Sequence, residues 1–164
     1  MTINLNTFRL VEAEAELRGL SDRAAAIVGG SLIETELKQL LIRARVKAPG
    51  KFDGKIKSAN RLRLLPPGAC TDADLIRKIR NEFAHTHQPL SFETPRIESL
   101  LSRLNALSAI RAQLTEFKKD PERWASIQAK GWHHTQFLFF VAISSIQGTL
   151  AALANSISQE GSHR

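Results

Sequence analysis

Cysteine occurs only once in this chain of 164 residues, and several other sequence features are missing as well. Each absence excludes a class of protein to which the chain could belong. Cys70 alone cannot form an intrachain disulfide, and a single thiol fits a reducing, intracellular setting. The N-terminus lacks the basic start and apolar core of a secretory signal, so we expect a cytoplasmic protein. Strict alternation of apolar and polar residues is absent, as are internal repeats. Ordinary contents of 43% hydrophobic and 24% charged residues therefore predict one all-α helical bundle, a single domain over residues 1–164.

Patterns that hold metals or phosphate-bearing cofactors are missing as well. His133 and His134 are adjacent and would point about 100° apart on a helix, and no cysteine or carboxylate accompanies them in a ligand pattern. Gly29 and Gly30 lie inside a helical run rather than in a phosphate-binding loop, so we expect them to let another helix approach closely. We therefore expect no metal and no cofactor.

Apolar spacing and helix-end signals divide the chain into predicted helices. Ser21 is a candidate cap, Thr94-Pro95 is a preferred helix start, and Asp120-Pro121 is another. Asp72 or Asp74 is expected to cap the helix that ends at His85. The predicted helices cover about residues 6–17, 22–46, 54–65, 72–85 and 95–119, a segment after 121, and the last part of the chain.

Charged residues are absent from Gly131 to Gln159, which contain no Lys, Arg, Asp or Glu. The run is close to the length that spans a bilayer, but it is interrupted at Ser144, Ser145, Gln147, Gly148, Thr149 and Asn155. We therefore expect a buried or interface helix rather than a membrane span. A small bundle often covers such a helix with a second copy, which predicts a homodimer that uses residues 133–157 and binds no membrane.

Acidic residues are scarce between Lys38 and Arg63, where nine basic residues face a single acid, Asp53. The window therefore nets +8 in a chain whose formal net charge is +7. Such a window indicates either contact with nucleic acid or phosphate, or a solvated surface. Only one aromatic residue lies within it and no helix-turn-helix device follows, which disfavours base stacking and sequence reading. The candidate nucleic-acid-binding residues are Lys47, Lys51, Lys55, Lys57, Arg61 and Arg63.

The segment from Asp72 to His85 combines an apolar stripe with an unusual polar group. The stripe has helical spacing and consists of Leu75, Ile76, Ile79 and Phe83. Asn81 and His85 share a helix face, and the long side chain of Arg80 can reach the same cleft. A fixed cation, an amide and a titratable imidazole are therefore expected beside a buried face.

Four blocks of sequence, residues 22–41, 52–65, 75–85 and 90–95, occur in a familiar order and spacing. The third, Leu75-Ile-Arg-Lys-Ile-Arg-Asn-Glu-Phe-Ala-His85, resembles the signature helix of the mannitol operon repressor family of bacteria, and the others resemble the blocks around it. The resemblance covers residues 20–118 and departs from the family at Leu62-Arg-Leu-Leu65, where the family usually has Gly-Leu-Ile near the end of its second block. Residues 120–164 lie outside it and are expected to form helices of the core or of a dimer interface.

The resemblance implies a bacterial transcriptional regulator of sugar-alcohol operons. The chain shows no separate DNA-reading domain, so such a regulator would act through a protein partner or through non-specific contact with nucleic acid.

A second resemblance leads to a different function. Arg80-Asn-Glu-Phe-Ala-His85 resembles the motif of the HEPN superfamily of helical nucleases and toxins, which implies metal-independent RNA cleavage across a dimer groove. His85 would then move the proton of the attacking ribose hydroxyl, Arg80 would stabilise the charged phosphorane, and Asn81 would orient one of them. The structural alternative is that Asn81 and His85 bond to neighbouring helix ends and hold the bundle together.

Overall fold

The computed structural model describes residues 17–108, 115–116 and 119–161, with the backbone alone for residues 158–161. This part of the chain contains seven helices and no strand, which confirms the prediction of an all-α bundle. The predicted helix over residues 6–17 lies almost wholly outside the described residues. The helices are α1 Asp22–Arg43, α2 Phe52–Arg61, α3 Pro67–His85, α4 Pro95–Ser102, α5 Asn105–Ser108, α6 Pro121–Ala129 and α7 His134–Gly161.

Helix α1 lies at the centre of the bundle and contacts α2, α3 and α7. Its two adjacent glycines make the closest approaches. A Cβ atom on Gly29 would lie 2.7 Å from the Phe139 ring of α7, and one on Gly30 would lie 2.8 Å from Cδ of Arg80 on α3. The prediction that small residues admit neighbouring elements at this point is confirmed.

Local end signals explain where several helices begin. Ser21 caps α1 by accepting a hydrogen bond from the backbone N–H of Ala24 at 3.2 Å, as predicted. Helix α4 begins at Pro95 after Thr94, and α6 begins at Pro121 after Asp120, whose side chain accepts from the N–H of Arg123. Each signal lies within three residues of the helix that it starts, which is why the sequence reveals it.

Helix α3 begins five residues earlier than predicted. Its first residue is Pro67 and its N-cap is Pro66, so the prediction that Asp72 or Asp74 caps it is wrong. A proline suits the first position of a helix because its missing N–H would have no partner there. Asp74 lies inside the helix and pairs with the side chains of Arg77 and Lys78. Burial raises the pKa of Asp74, but the hydrogen bonds and charges of Lys78 and Arg77 outweigh it, so its pKa lies below the ordinary value.

Asp72 caps a different helix. Its side chain is buried, and its carboxylate accepts hydrogen bonds from the backbone N–H groups of Asn105 at 2.7 Å and Ala106 at 2.8 Å. These donors begin α5, so the chain breaks between α4 and α5 instead of continuing as one helix. The prediction of a single helix from Pro95 to about Lys119 is therefore wrong at Ser102, where α4 ends.

The four apolar residues of the α3 stripe, Leu75, Ile76, Ile79 and Phe83, are all buried, as predicted. Phe83 lies 5.2 Å from Phe92, and Phe92 stacks on Phe139 of α7 at 4.7 Å between ring centroids. Helix α3 is therefore joined to α7 through aromatic packing.

Helix α7 packs on α1, α3, α4 and α5. By length and composition alone its segment His134–Ile157 could cross a membrane, and 56% of the most apolar window is buried inside the fold. Core helices of soluble proteins have the same properties. Between residues 134 and 157 four positions are exposed, and all are small or polar: Thr149, Ala152, Asn155 and Ser156.

Helices α1, α2 and α6 end in the same hydrogen-bonded turn. In α1 the N–H of Val46 donates to the carbonyl of Leu41, and the N–H of Arg45 donates to that of Ile42, both at 2.9 Å. This is the Schellman arrangement, whose C′ residue takes a left-handed backbone conformation. The C′ residues are Arg45 at φ 59°, Arg63 at φ 54° and Gly131 at φ 87°.

Candidate nucleic-acid interface and signature helix

Helix α3 places Arg80 against a carboxylate on α1. Nη1 of Arg80 donates to Oε2 of Glu34 at 3.0 Å, while Nζ of Lys55 donates to Oε1 of the same carboxylate at 2.8 Å. Lys55 also donates to the carbonyl of Gly50 at 2.7 Å. The guanidinium of Arg80 lies 5.9 Å from the centroid of the Phe52 ring, within cation–π range. Glu34 therefore ties together three helices, α1, α2 and α3.

The absence of a side chain at Gly30 leaves the space that Arg80 occupies against α1. A Cβ atom on Gly30 would lie only 2.8–3.1 Å from the aliphatic carbons of Arg80, and Glu34 follows Gly30 by one helical turn on the same face of α1. The side chain of Arg80 keeps 30% of its surface exposed, and that of Glu34 keeps 21%. Glu34 is therefore the counter-ion of Arg80 within the chain, and the pair acts as an interhelical clamp between α1 and α3.

Asn81 and His85 have no such partners. His85 is exposed at the last residue of α3 and Asn81 is half-buried one turn before it. Neither side chain makes a hydrogen bond to the part of the chain that the structure describes. The three candidate catalytic residues therefore divide into a paired cation, Arg80, and two unpaired polar groups.

The end of α3 is held by a residue that sequence reasoning missed. Arg23, in the first turn of α1, donates to the backbone carbonyls of Phe83, Thr86 and Gln88, the last two at 2.9 and 3.2 Å. These carbonyls belong to the last turn of α3 and the segment after it, where cations are favourable. The alternative in which Asn81 and His85 bond to neighbouring helix ends is not seen within the described residues, because neither side chain makes a hydrogen bond there. No local signal identifies Arg23, since its partners lie 60 or more residues away.

The candidate nucleic-acid-binding residues separate by burial. Lys47, Lys51, Lys57, Arg61 and Arg63 are exposed. Lys55 is only 5% exposed, and its ammonium group donates hydrogen bonds to Glu34 and to the carbonyl of Gly50. The structure therefore does not place it among the surface cations. Arg45, in the same window, is exposed and was not among the predicted site residues. We refer to the six exposed residues as the α1–α2 cations: Arg45, Lys47, Lys51, Lys57, Arg61 and Arg63.

Most of the α1–α2 cations lack an acidic partner. Lys57 pairs with Asp53 at 2.8 Å on the surface, a pairing that water screens strongly. The other five make no ion pair or hydrogen bond through their side chains within the described residues. On α2, Lys57 and Arg61 lie on the face opposite the buried residues Phe52, Ile56 and Ala59. The result is a helix with one core face and one cationic face.

The length of helix α2 determines how many phosphate groups of a nucleic acid the cations around it can reach. Helix α2 has 10 residues, which gives a length of about 15 Å at the usual rise. That length corresponds to roughly four or five nucleotide steps along one strand of a duplex. Cations before, along and after α2 can therefore follow a phosphate backbone, while no base-reading element is evident in the described residues.

Comparison with protein-family models, with curated proteins and with solved structures finds no match to this chain.

Proposed function

We propose that this chain is a bacterial regulatory protein of the cytoplasm that contacts the phosphate backbone of nucleic acid through the α1–α2 cations. The resemblance to the mannitol operon repressor family implies the regulatory role. The observation that carries the proposal is the set of exposed cations with one acidic partner among them, Asp53. Such a surface binds phosphates without reading bases, and an acidic protein partner is the competing occupant of the same surface.

Binding to two unrelated duplexes of 20 base pairs tests the proposal. We expect affinities within tenfold of each other, because phosphate contacts carry no sequence information. We also expect a log–log slope of affinity against salt concentration of about −3 to −5, since six cations give at most −0.9 for each phosphate that they neutralise. Fluorescence anisotropy between 50 and 200 mM salt measures both. A hundredfold preference for one duplex, or no binding at 50 mM salt, would rule the proposal out.

The second candidate function is metal-independent RNA cleavage, and one observation favours it. His85 and Asn81, at the end of α3, make no side-chain hydrogen bond with the described residues, which suits groups that act on a ligand. In this reaction His85 takes the proton of a ribose 2′-hydroxyl and the oxygen attacks the adjacent phosphorus. The bond to the 5′-oxygen breaks, and that oxygen takes a proton from water, which gives a 2′,3′-cyclic phosphate and a 5′-hydroxyl end. Arg80 would have to serve the phosphate while bound to Glu34, which makes this the weaker candidate.

The nuclease candidate is tested with RNA in the presence of a chelator. Cleavage to cyclic-phosphate ends is expected, and His85→Ala is expected to slow it by about a hundredfold to ten-thousandfold. His87→Ala is the matched control, because His87 is also exposed and lies two residues beyond the motif. Equal rates for wild type and His85→Ala would eliminate this candidate.

A further inference from the structure

Two arginines occupy backbone positions that glycine would take without strain. Arg45 and Arg63 are the C′ residues of α1 and α2, at φ 59° and 54°. We propose that these two arginines are anchoring residues of the phosphate-binding surface, with the guanidinium group of each holding a phosphate group of a nucleic acid. The inference rests on the proposed function and names two of the residues that perform it.

The fold requires the turns but not the arginines. In each turn the residue after the arginine, Val46 or Leu64, packs against the core, which fixes the turn in place. The equivalent turn after α6 has Gly131 at φ 87°, so the same chain builds the same turn with glycine. A residue with a Cβ atom is strained in this conformation, whereas glycine is not.

The side chains of Arg45 and Arg63 offset little of that strain through contacts with the described residues. Both are exposed, and neither forms a hydrogen bond or ion pair with the described residues. The remaining internal gain is attraction to the negative end of the helix dipole, which salt screens. The strained position is therefore explained by a partner outside the chain.

A phosphate is the partner that suits both residues. The guanidinium group presents five donors in a planar fork that matches the oxygen atoms of a phosphate, and it stays charged at any physiological pH. Arg45 and Arg63 stand at the two ends of the cationic stretch that contains Lys47, Lys51, Lys57 and Arg61. Along the sequence, two forked cations therefore bracket four further exposed cations, and all six suit phosphate oxygens.

The double variant Arg45→Gly/Arg63→Gly tests the inference in two measurements. In 1 M sodium chloride, where charges act over only about 3 Å, we expect each substitution to raise the Tm by about 2–4 °C because the backbone strain is relieved. With a 20-base-pair duplex, we expect the salt slope to fall by about two and the affinity at 100 mM salt to fall at least tenfold. The matched control is Arg103→Gln/Lys130→Gln, which removes two exposed cations from helix C-caps with ordinary negative φ.

The outcomes separate the inference from the proposed function. A higher Tm together with weaker binding, and unchanged binding in the control, supports both. If the wild type binds the duplex with a steep salt slope and the double glycine variant binds equally well, the inference is overturned and the proposed function stands. An unchanged or lower Tm in 1 M salt also overturns the inference, because the arginines are then not strained. If the wild type binds no duplex at all, both fail together.

Discussion

At the scale of single residues, the chain uses charges in two different ways. Lys55 and Arg80 are taken up by Glu34, whereas Arg61 and Arg63 remain exposed and unpaired within the described residues. The sequence predicts the paired and the exposed cations alike as site residues, because spacing shows only where charges lie and which helix face they share. Burial of Lys55 depends on Glu34, 21 positions earlier, and that contact becomes visible only when α1 and α2 pack together.

Removing the shared carboxylate should therefore weaken the fold. We expect Glu34→Gln to lower the free energy of unfolding by about 2–3 kcal/mol, because it leaves the buried ammonium group of Lys55 without its counter-ion. The control is Asp53→Asn, which breaks the exposed pair with Lys57 and should cost about 1 kcal/mol or less. Urea denaturation measures both, and equal small losses would show that the Glu34 cluster is no clamp.

At the scale of helices, what could be predicted depends on how far apart the partners lie. The starts of α1, α4 and α6 follow from residues next to them, and the sequence predicts all three. The predicted helix over residues 54–65 stops before Pro66-Pro67-Gly68, and the next helix begins at Pro67, within these residues. The cap of α5 comes from Asp72, 33 residues before its first donor, and no local pattern could indicate it.

The packing of α1 against α3 makes a second prediction at this scale. Gly30→Ala places a Cβ atom 2.9 Å from Cβ of Arg80, so the two helices must separate or the Glu34 contact must shift. We expect a loss of about 1–3 kcal/mol in the free energy of unfolding, as for other overpacked sites.

Gly148→Ala on α7 is the matched control for this change. A Cβ atom there has no neighbour within 4 Å, and alanine favours a helix over glycine, so the variant should gain about 0.5–1 kcal/mol. Urea denaturation distinguishes the two variants. A gain for Gly30→Ala would contradict the close approach of α3 to α1.

At the scale of the whole molecule, the homodimer stays a prediction. Helix α7 contains no Lys, Arg, Asp or Glu through Gln159, and five of its apolar residues are half-buried: Phe137, Leu138, Val141, Leu153 and Ile157. A second copy would cover their remaining surface. The all-α architecture was predictable from the helical spacing of the apolar residues. Dimerisation depends on the shape and composition of a surface, which that spacing does not describe.

Sedimentation at micromolar concentration tests the dimer. We expect a mass near twice that of one chain, and Ala152→Arg, which places a charge on the exposed side of α7, should shift the protein toward the monomer. Ala125→Arg adds the same charge to an exposed position on α6 and should leave the mass unchanged. A monomeric wild type would refute the dimer and would leave the α1–α2 cations unaffected.

The central claim is that the α1–α2 cations bind a phosphate backbone, and its most direct test is a comparison of salt slopes. The test variant is Lys47→Gln/Lys51→Gln/Lys57→Gln/Arg61→Gln, and the control variant is Lys78→Gln/Arg103→Gln/Arg123→Gln/Lys130→Gln, which removes four exposed cations from other helices and their caps. Since each phosphate contact contributes about 0.9 to the slope, the test variant should bind a 20-base-pair duplex with a slope smaller by about three, while the control keeps the wild-type slope. Equal slopes for the wild type and the test variant would contradict the account.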